Sequence, residues 1–286
     1  MSELLVQVLG TAQDGGYPQP GCNCPNCKKA HKNQHLIRYP ASLGIIDSQA
    51  HKSYIIDPTP KLPEQLRLLN KKAIEANLSK DHLEGIFITH AHMGHYPGLL
   101  YFGKEVMNSS KLKVFCSHKM NEFLSANQPW RNLVENNICV KTFKNEEKII
   151  QDNIIFQPVE VPHRAEHTDT YGFLVRGEKK ALFYIPDIDQ WEGFEDKFNE
   201  ITKKVDYMLL DGTFYEREEL KTHRDRKIKN VPHPPVKETL SLLEEGTLKK
   251  NGAKIFFTHF NHTNRVLHPS FTEDISCLRE GQVIKL

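Results

Sequence analysis

The sequence predicts an α/β fold of layered sheets covered by helices, and three observations predict it. Ten short apolar runs rich in β-branched and aromatic residues recur along the 286 residues, most of them ended by Gly, Pro, Asp or His. Four stretches with apolar positions at helical spacing lie among them. Asp57, His90, His163, Asp187, Asp211 and His259 each stand at or just past the C-terminal end of an apolar run. Strands lying side by side would bring those ends to one edge of the sheets, where a single cleft would collect six metal-competent side chains.

In chain order the expected strands are LLVQVLG, SYIID, GIFITH, KVFCS, NICVKTF, IIFQPVEVP, YGFLVRG, ALFYIPD, YMLLDG and KIFFTH. Amphipathic helices are expected over 61–78, 117–126, 191–204 and 235–249, the last containing VKETLSLLEEGTL. Residues 217–235, REELKTHRDRKIKNVPHPP, are charged and then Pro-rich. They read as a long surface loop of the kind that borders active sites. With 38% hydrophobic residues the chain can bury a substantial core, in one large domain or two small ones.

Charge narrows the partners. Lys and Arg total 38 against 36 acidic residues, a net charge of +2, and the basic residues are scattered. Electrostatics alone therefore does not imply nucleic acid. The opening MSELLVQVLGTAQDGG lacks a basic segment followed by a long apolar one, and no later run approaches membrane-spanning length. A cytoplasmic protein with no membrane partner is expected. In that reducing setting the isolated Cys116, Cys139 and Cys277 read as small buried apolar residues, and the close group Cys22, Cys24 and Cys27 as metal ligands.

The densest chemistry is FITHAHMGHYPGL, residues 87–99, with three histidines in six positions after an apolar run. His90 and His92 alternate and can face one side, and His95 follows as the chain turns. Neutral imidazoles suit zinc, iron or manganese. His163, in VEVPHR, directly follows an apolar run and is preferred over His167 as an isolated ligand.

These residues resemble the metallo-β-lactamase superfamily, whose HxHxDH run is followed by an isolated His, an Asp and a final His at strand ends. HAHMGH, His163, Asp187 in FYIPD and His259 in FFTHF match in order over almost the whole chain. The resemblance implies an αββα sandwich, a single domain over residues 1–286, with the metal cleft at the sheet edges. One metal would take His90, His92 and His163, and a second His95 and His259, with Asp187 bridging. Such a pair would set a metal-bound hydroxide against a phosphodiester or an ester or lactone bond. Asp57 and Asp211 would orient ligating imidazoles from behind. The sequence departs at Gly94, where the family carries an Asp. The second site then retains three donors, and a labile second metal beside a firm first one is expected.

Cys22, Cys24 and Cys27 form C-x-C-x2-C, three thiolates in six residues. A similar knuckle, within about residues 20–35, occurs in the PqqB-like proteins and the PhnP-type cyclic phosphodiesterases. In the latter a His three residues past the last active-site His completes it; here that is His262, giving one structural zinc. By the same likeness His233, in VPHPPVKETL, would assist the substrate phosphate or the leaving group. VLGTAQDGGYPQPGC and ALFYIPDIDQW also look PqqB-like. Three readings follow: a hydrolase of a small molecule using one or two divalent Zn, Mn or Fe ions, a PqqB-like iron-dependent oxidase or hydroxylase, or a non-catalytic metal- or ligand-binding protein. A homodimer is left open. Tyr96, Tyr101, Trp130 and Trp191 read either as pocket lining or as core.

Overall fold

The computed structural model describes residues 4–164, 166–222, 232–268 and 270–286. Strands β1 (Leu4–Gly10), β2 (Ser42–Asp47), β3 (Lys52–Ile56), β4 (Leu83–Phe87), β5 (Leu112–Ser117) and β6 (Ile138–Phe143) build the first sheet. Strands β7 (Ile149–Gln151), β8 (Ile154–Glu160), β9 (Tyr171–Arg176), β10 (Ala181–Ile185), β11 (Tyr207–Asp211) and β12 (Lys254–Thr258) build the second, and β13 (Val283–Lys285) returns to the first. The orders are β13-β1-β2-β3-β4-β5-β6 and β12-β11-β10-β9-β8-β7.

All ten expected runs are strands. The direction of pairing is what matters for the site. Strands β3 to β6 are mutually parallel, as are β10 to β12, so their C-terminal ends gather. Loops at those ends share one rim, where ligands settle in open α/β sheets.

The inner faces meet in an aromatic core. Phe87 of β4 stacks on Phe115 of β5 at 4.5 Å and on Phe156 of β8 at 4.0 Å, with Phe173 of β9 edge-on at 5.5 Å. Offset and edge-on pairs of this kind add to the stabilisation that burial alone gives. Helices α2 (Leu62–Glu75), α3 (His118–Ala126) and α4 (Trp130–Asn136) cover the outer face of the first sheet through Leu69, Leu124 and Leu133. Helices α5 (Glu195–Thr202) and α6 (Val236–Glu244) cover the second through Phe198 and Val236. The result is the αββα sandwich.

Several expectations need adjustment. Strands β2, β7 and β13 and helices α1 (Pro25–Lys32) and α4 were not expected. β2 is buried throughout and has no polar alternation to mark it, and its Gly44 lets α2 approach so closely that a Cβ there would lie 2.7 Å from Leu69 Cδ1. Cys116 is buried, with burial pushing its thiol up to about 12, but Cys139 and Cys277 are only half-buried. Tyr96 and Trp191 are core rather than pocket lining: Tyr96 packs on Phe123 and Trp130, and Trp191 donates from Nε1 to Thr239 Oγ1 at 2.9 Å. Of the loop 217–235, residues 223–231 lie outside the described residues, while Arg217–Thr222 form a 3-10 turn. No described helix is long and apolar enough to cross a membrane.

Candidate metal centre

The rim holds the predicted side chains together. His90, His92 and His163 offer donor atoms within 4.8 Å of one another, as do His90, His95 and Asp187, and Asp187, Asp211, His233 and His259. His167 stays outside, exposed and beside the Phe123 ring. Three positions bend the backbone to achieve this. Asp57, His233 and His259 have φ of 65°, 76° and 62°, left-handed conformations that side-chain-bearing residues seldom adopt and that cluster at functional sites.

The imidazoles are oriented from behind. His90 Nδ1–H donates to Thr89 Oγ1 at 2.9 Å, and that hydroxyl donates to Asp57 at 3.0 Å. Asp57 also accepts from His95 Nδ1–H at 2.8 Å. The second sheet repeats the device: His259 Nδ1–H donates to Thr213 Oγ1 at 2.9 Å, which donates to Asp211 Oδ1 at 2.7 Å. Asp211 Oδ2 accepts from His233 Nδ1–H at 2.6 Å and from the Ile188 amide at 3.1 Å. His92 turns the other way, with Nε2 2.7 Å from Glu166 Oε2 and Nδ1 3.0 Å from His163 Nε2, while His163 Nδ1 lies 2.7 Å from Asp189 Oδ1.

With the outer nitrogens engaged, the inner ones are left without hydrogen-bond partners. His90 Nε2, His95 Nε2, His259 Nε2 and Asp187 Oδ2 are all buried in that condition. Burying bare donors and acceptors costs several kcal/mol in total unless something ligates them, and fixing one nitrogen so that the other is free is how ligating histidines are held. Asp187 Oδ2 stands 3.0 Å from His95 Nε2 and 3.4 Å from His259 Nε2, with Oδ1 3.9 Å from His163 Nε2. Donors on a tetrahedral zinc lie about 3.3 to 3.6 Å apart. The residues present therefore fit a divalent metal, with Asp187 between two donor sets.

Charge is distributed unevenly. Burial holds His90 well below the ordinary imidazole range, with neighbouring histidines adding to it. Burial also lowers His92 and, against Asp187 and Asp211, His259. For His95 burial is outweighed by Asp187 and Asp57, which raise it well above that range. Asp187 is held well below the usual carboxylate range because His259 and His95 outweigh its burial.

Three carboxylates escaped the sequence reading, Glu166 beside His92 being the first. Asp189 lies two residues past Asp187 and contacts His163, and that D-x-D spacing was a usable signal. Asp14 gave none, being 80 positions from its contact. Its Oδ1 accepts from the Gly94 amide at 3.1 Å and stands 3.5 Å from His95 Nε2. The second site thus has a carboxylate beside it despite Gly94.

The cysteine knuckle assembles as predicted. His262 Nδ1 lies 3.7 Å from Cys22 Sγ, 3.5 Å from Cys24 Sγ and 3.4 Å from Cys27 Sγ. A tetrahedral zinc with bonds of about 2.3 Å to sulfur and about 2.0 Å to nitrogen requires a separation of about 3.5 Å. The cluster is consistent with a zinc knuckle. Cys24 also caps α1, accepting from the Cys27 amide, with Pro25 opening the helix.

Residues 52–260 match the family described as Beta-lactamase superfamily domain. The chain is 23% identical over 304 residues to coenzyme PQQ synthesis protein B of Methylobacillus flagellatus, covering 96% of this chain and 95% of that protein. The zinc-bound PqqB structure from Methylobacterium extorquens superposes with a TM-score of 0.77 at 18% identity, over 99% of this chain and 100% of that one. A diphosphatase of the PhnP family gives a TM-score of 0.69 at 20% identity, over 99% and 97%. The fold agrees with the comparisons, and the chain belongs to the β-lactamase superfamily, in a branch that is PqqB- and PhnP-like.

Proposed function

We propose that the protein is a metal-dependent hydrolase of a small molecule, cleaving a phosphodiester or an ester or lactone bond. The observation that carries this reading is a buried cluster in which His90 and His259 Nε2 have no hydrogen-bond partner and His95 Nε2 has only carboxylates facing it, with each imidazole fixed through its other nitrogen. When bound there, a pair of divalent ions lowers the pKa of a shared water and polarises a phosphoryl or carbonyl oxygen. The chain's own contribution is placement: His90, His92 and His163 would hold one ion and His95 and His259 the other, with Asp187 available to both sets.

His233 serves as the proton donor to the leaving group. Its ring lies 5.6 Å from that of His163 and 5.7 Å from that of His259, bordering both donor sets. Burial is outweighed by Asp211 and Asp187, so its pKa lies above the ordinary imidazole value and it carries a proton more readily near neutrality. With a net charge of +2 and no basic stripe, a small molecule rather than a nucleic acid is the expected partner.

The test is elemental analysis of freshly purified protein with a screen of bis-p-nitrophenyl phosphate, cyclic phosphates and lactones. Hydrolysis that His90→Ala abolishes and that persists without oxygen is the expected result. Turnover that consumes oxygen, with iron in the purified protein, would instead favour a PqqB-like oxidase or hydroxylase. The observation favouring that second reading is the near full-length alignment with coenzyme PQQ synthesis protein B.

A further inference from the structure

Gly94 is buried and has no room for a side chain. A Cβ built on it would lie 2.1 Å from Asp14 Oδ1 and 2.7 Å from Asp14 Cα. The space in which a side chain at 94 would begin is filled by a carboxylate from another part of the chain. That carboxylate is aimed inward: its donor atom groups within 4.8 Å of those of His95 and His259. Its Oδ1–Nε2 distance of 3.5 Å to His95 matches the donor spacing of a four-coordinate metal. His259 Nε2 is buried without a hydrogen-bond partner, and His95 Nε2 faces only the Asp187 and Asp14 carboxylates.

The segment carrying Asp14 is fixed. The Gln13 amide donates to Phe260 O at 2.9 Å and the Phe260 amide to Thr11 O at 2.8 Å, beside His259. Asp14 is therefore held next to the donor set by backbone bonds to that same strand end. Its side chain is 34% exposed, at the rim and not in the core, so burial does not explain its position.

We propose that Asp14 is the carboxylate ligand of the second metal, standing in for the one that the HAHMGH run lacks, with Gly94 as the space that admits it. The second site then has Asp14, His95, His259 and Asp187 as donors. The proposal rests on the reading that this cluster holds metal.

Zinc(II) content after dialysis against a zinc buffer, and the zinc affinity of the second site by chelator competition, test it without reference to turnover. Wild-type protein should hold three equivalents, one in the knuckle and two at the rim. Asp14→Asn keeps the volume and the amide contact and should weaken the second rim ion by at least about tenfold. Asp14→Asn should also leave the knuckle ion and the first rim ion bound as tightly as in the wild type, because the amide still accepts from the Gly94 N–H. An unchanged second affinity in Asp14→Asn overturns the proposal. So does an equal weakening of the knuckle ion or the first rim ion in Asp14→Asn, which would make Asp14 a scaffold residue. Wild-type protein with zinc only in the knuckle would defeat the metal reading of the site itself, an outcome distinguishable from both.

Discussion

His95 and His90 sit in one cluster yet compete with protons in opposite senses. The carboxylates of Asp187 and Asp57 raise His95, so a proton occupies its inner nitrogen up to a higher pH than for a free imidazole. Burial lowers His90 and His92, which are proton-free to a lower pH. Because ligands must shed protons to bind metal, the second site should empty before the first as pH falls from about 8 to about 5. Metal content measured after equilibration at graded pH checks this order, and loss of the first ion ahead of the second would contradict it. His233 is argued on the same scale: His233→Ala should lower turnover by about 100-fold with zinc content unchanged. Unaltered turnover would remove it from the mechanism. Most of these residues were legible in the sequence because each follows an apolar run, a local signal. Asp14 was not, since its role depends on a contact with Gly94 that only the folded chain creates.

On the scale of elements, the knuckle and the rim share a segment. Cys22, Cys24 and Cys27 meet His262, three residues past His259, while residues 11–14 pair with Phe260 between them. Losing the knuckle zinc should therefore loosen the loop that carries Asp14. Cys24→Ser is expected to lower thermal stability and to weaken the second rim ion, with the first retained; a variant that loses knuckle zinc yet binds both rim ions normally would separate the two. Element recognition from sequence succeeded for ten apolar runs but missed β2, although SLGIID also ends in Asp. It failed at α1, whose start is set by Pro25 and a cysteine cap, and at β13, three residues whose strand character comes from pairing with β1. Tertiary partners, rather than local propensity, define those pieces.

For the whole molecule, the two sheets are joined by the Phe87, Phe115, Phe156 and Phe173 cluster. Phe87→Ala should cost about 3–5 kcal/mol, since deleting a buried ring loses transfer energy and leaves a cavity. Urea denaturation of the metal-loaded protein measures it, and a loss below about 1 kcal/mol would mean that the sheets close over the gap. The candidate metal ligands come from both sheets, so a shift of one against the other also misplaces Asp187 relative to His90 and His95.

The pairing of residues 11–14 with Phe260 has a consequence for synthesis. Asp14 and the three cysteines are made early, but His259 and His262 emerge only after some 230 further residues, a count taken between Cys27 and His259. Until then the thiols lack His262 and His95 lacks His259, and contacts so distant in sequence form late. On the ribosome the knuckle cluster and the second donor set therefore stay incomplete, and their closing becomes a terminal event of folding.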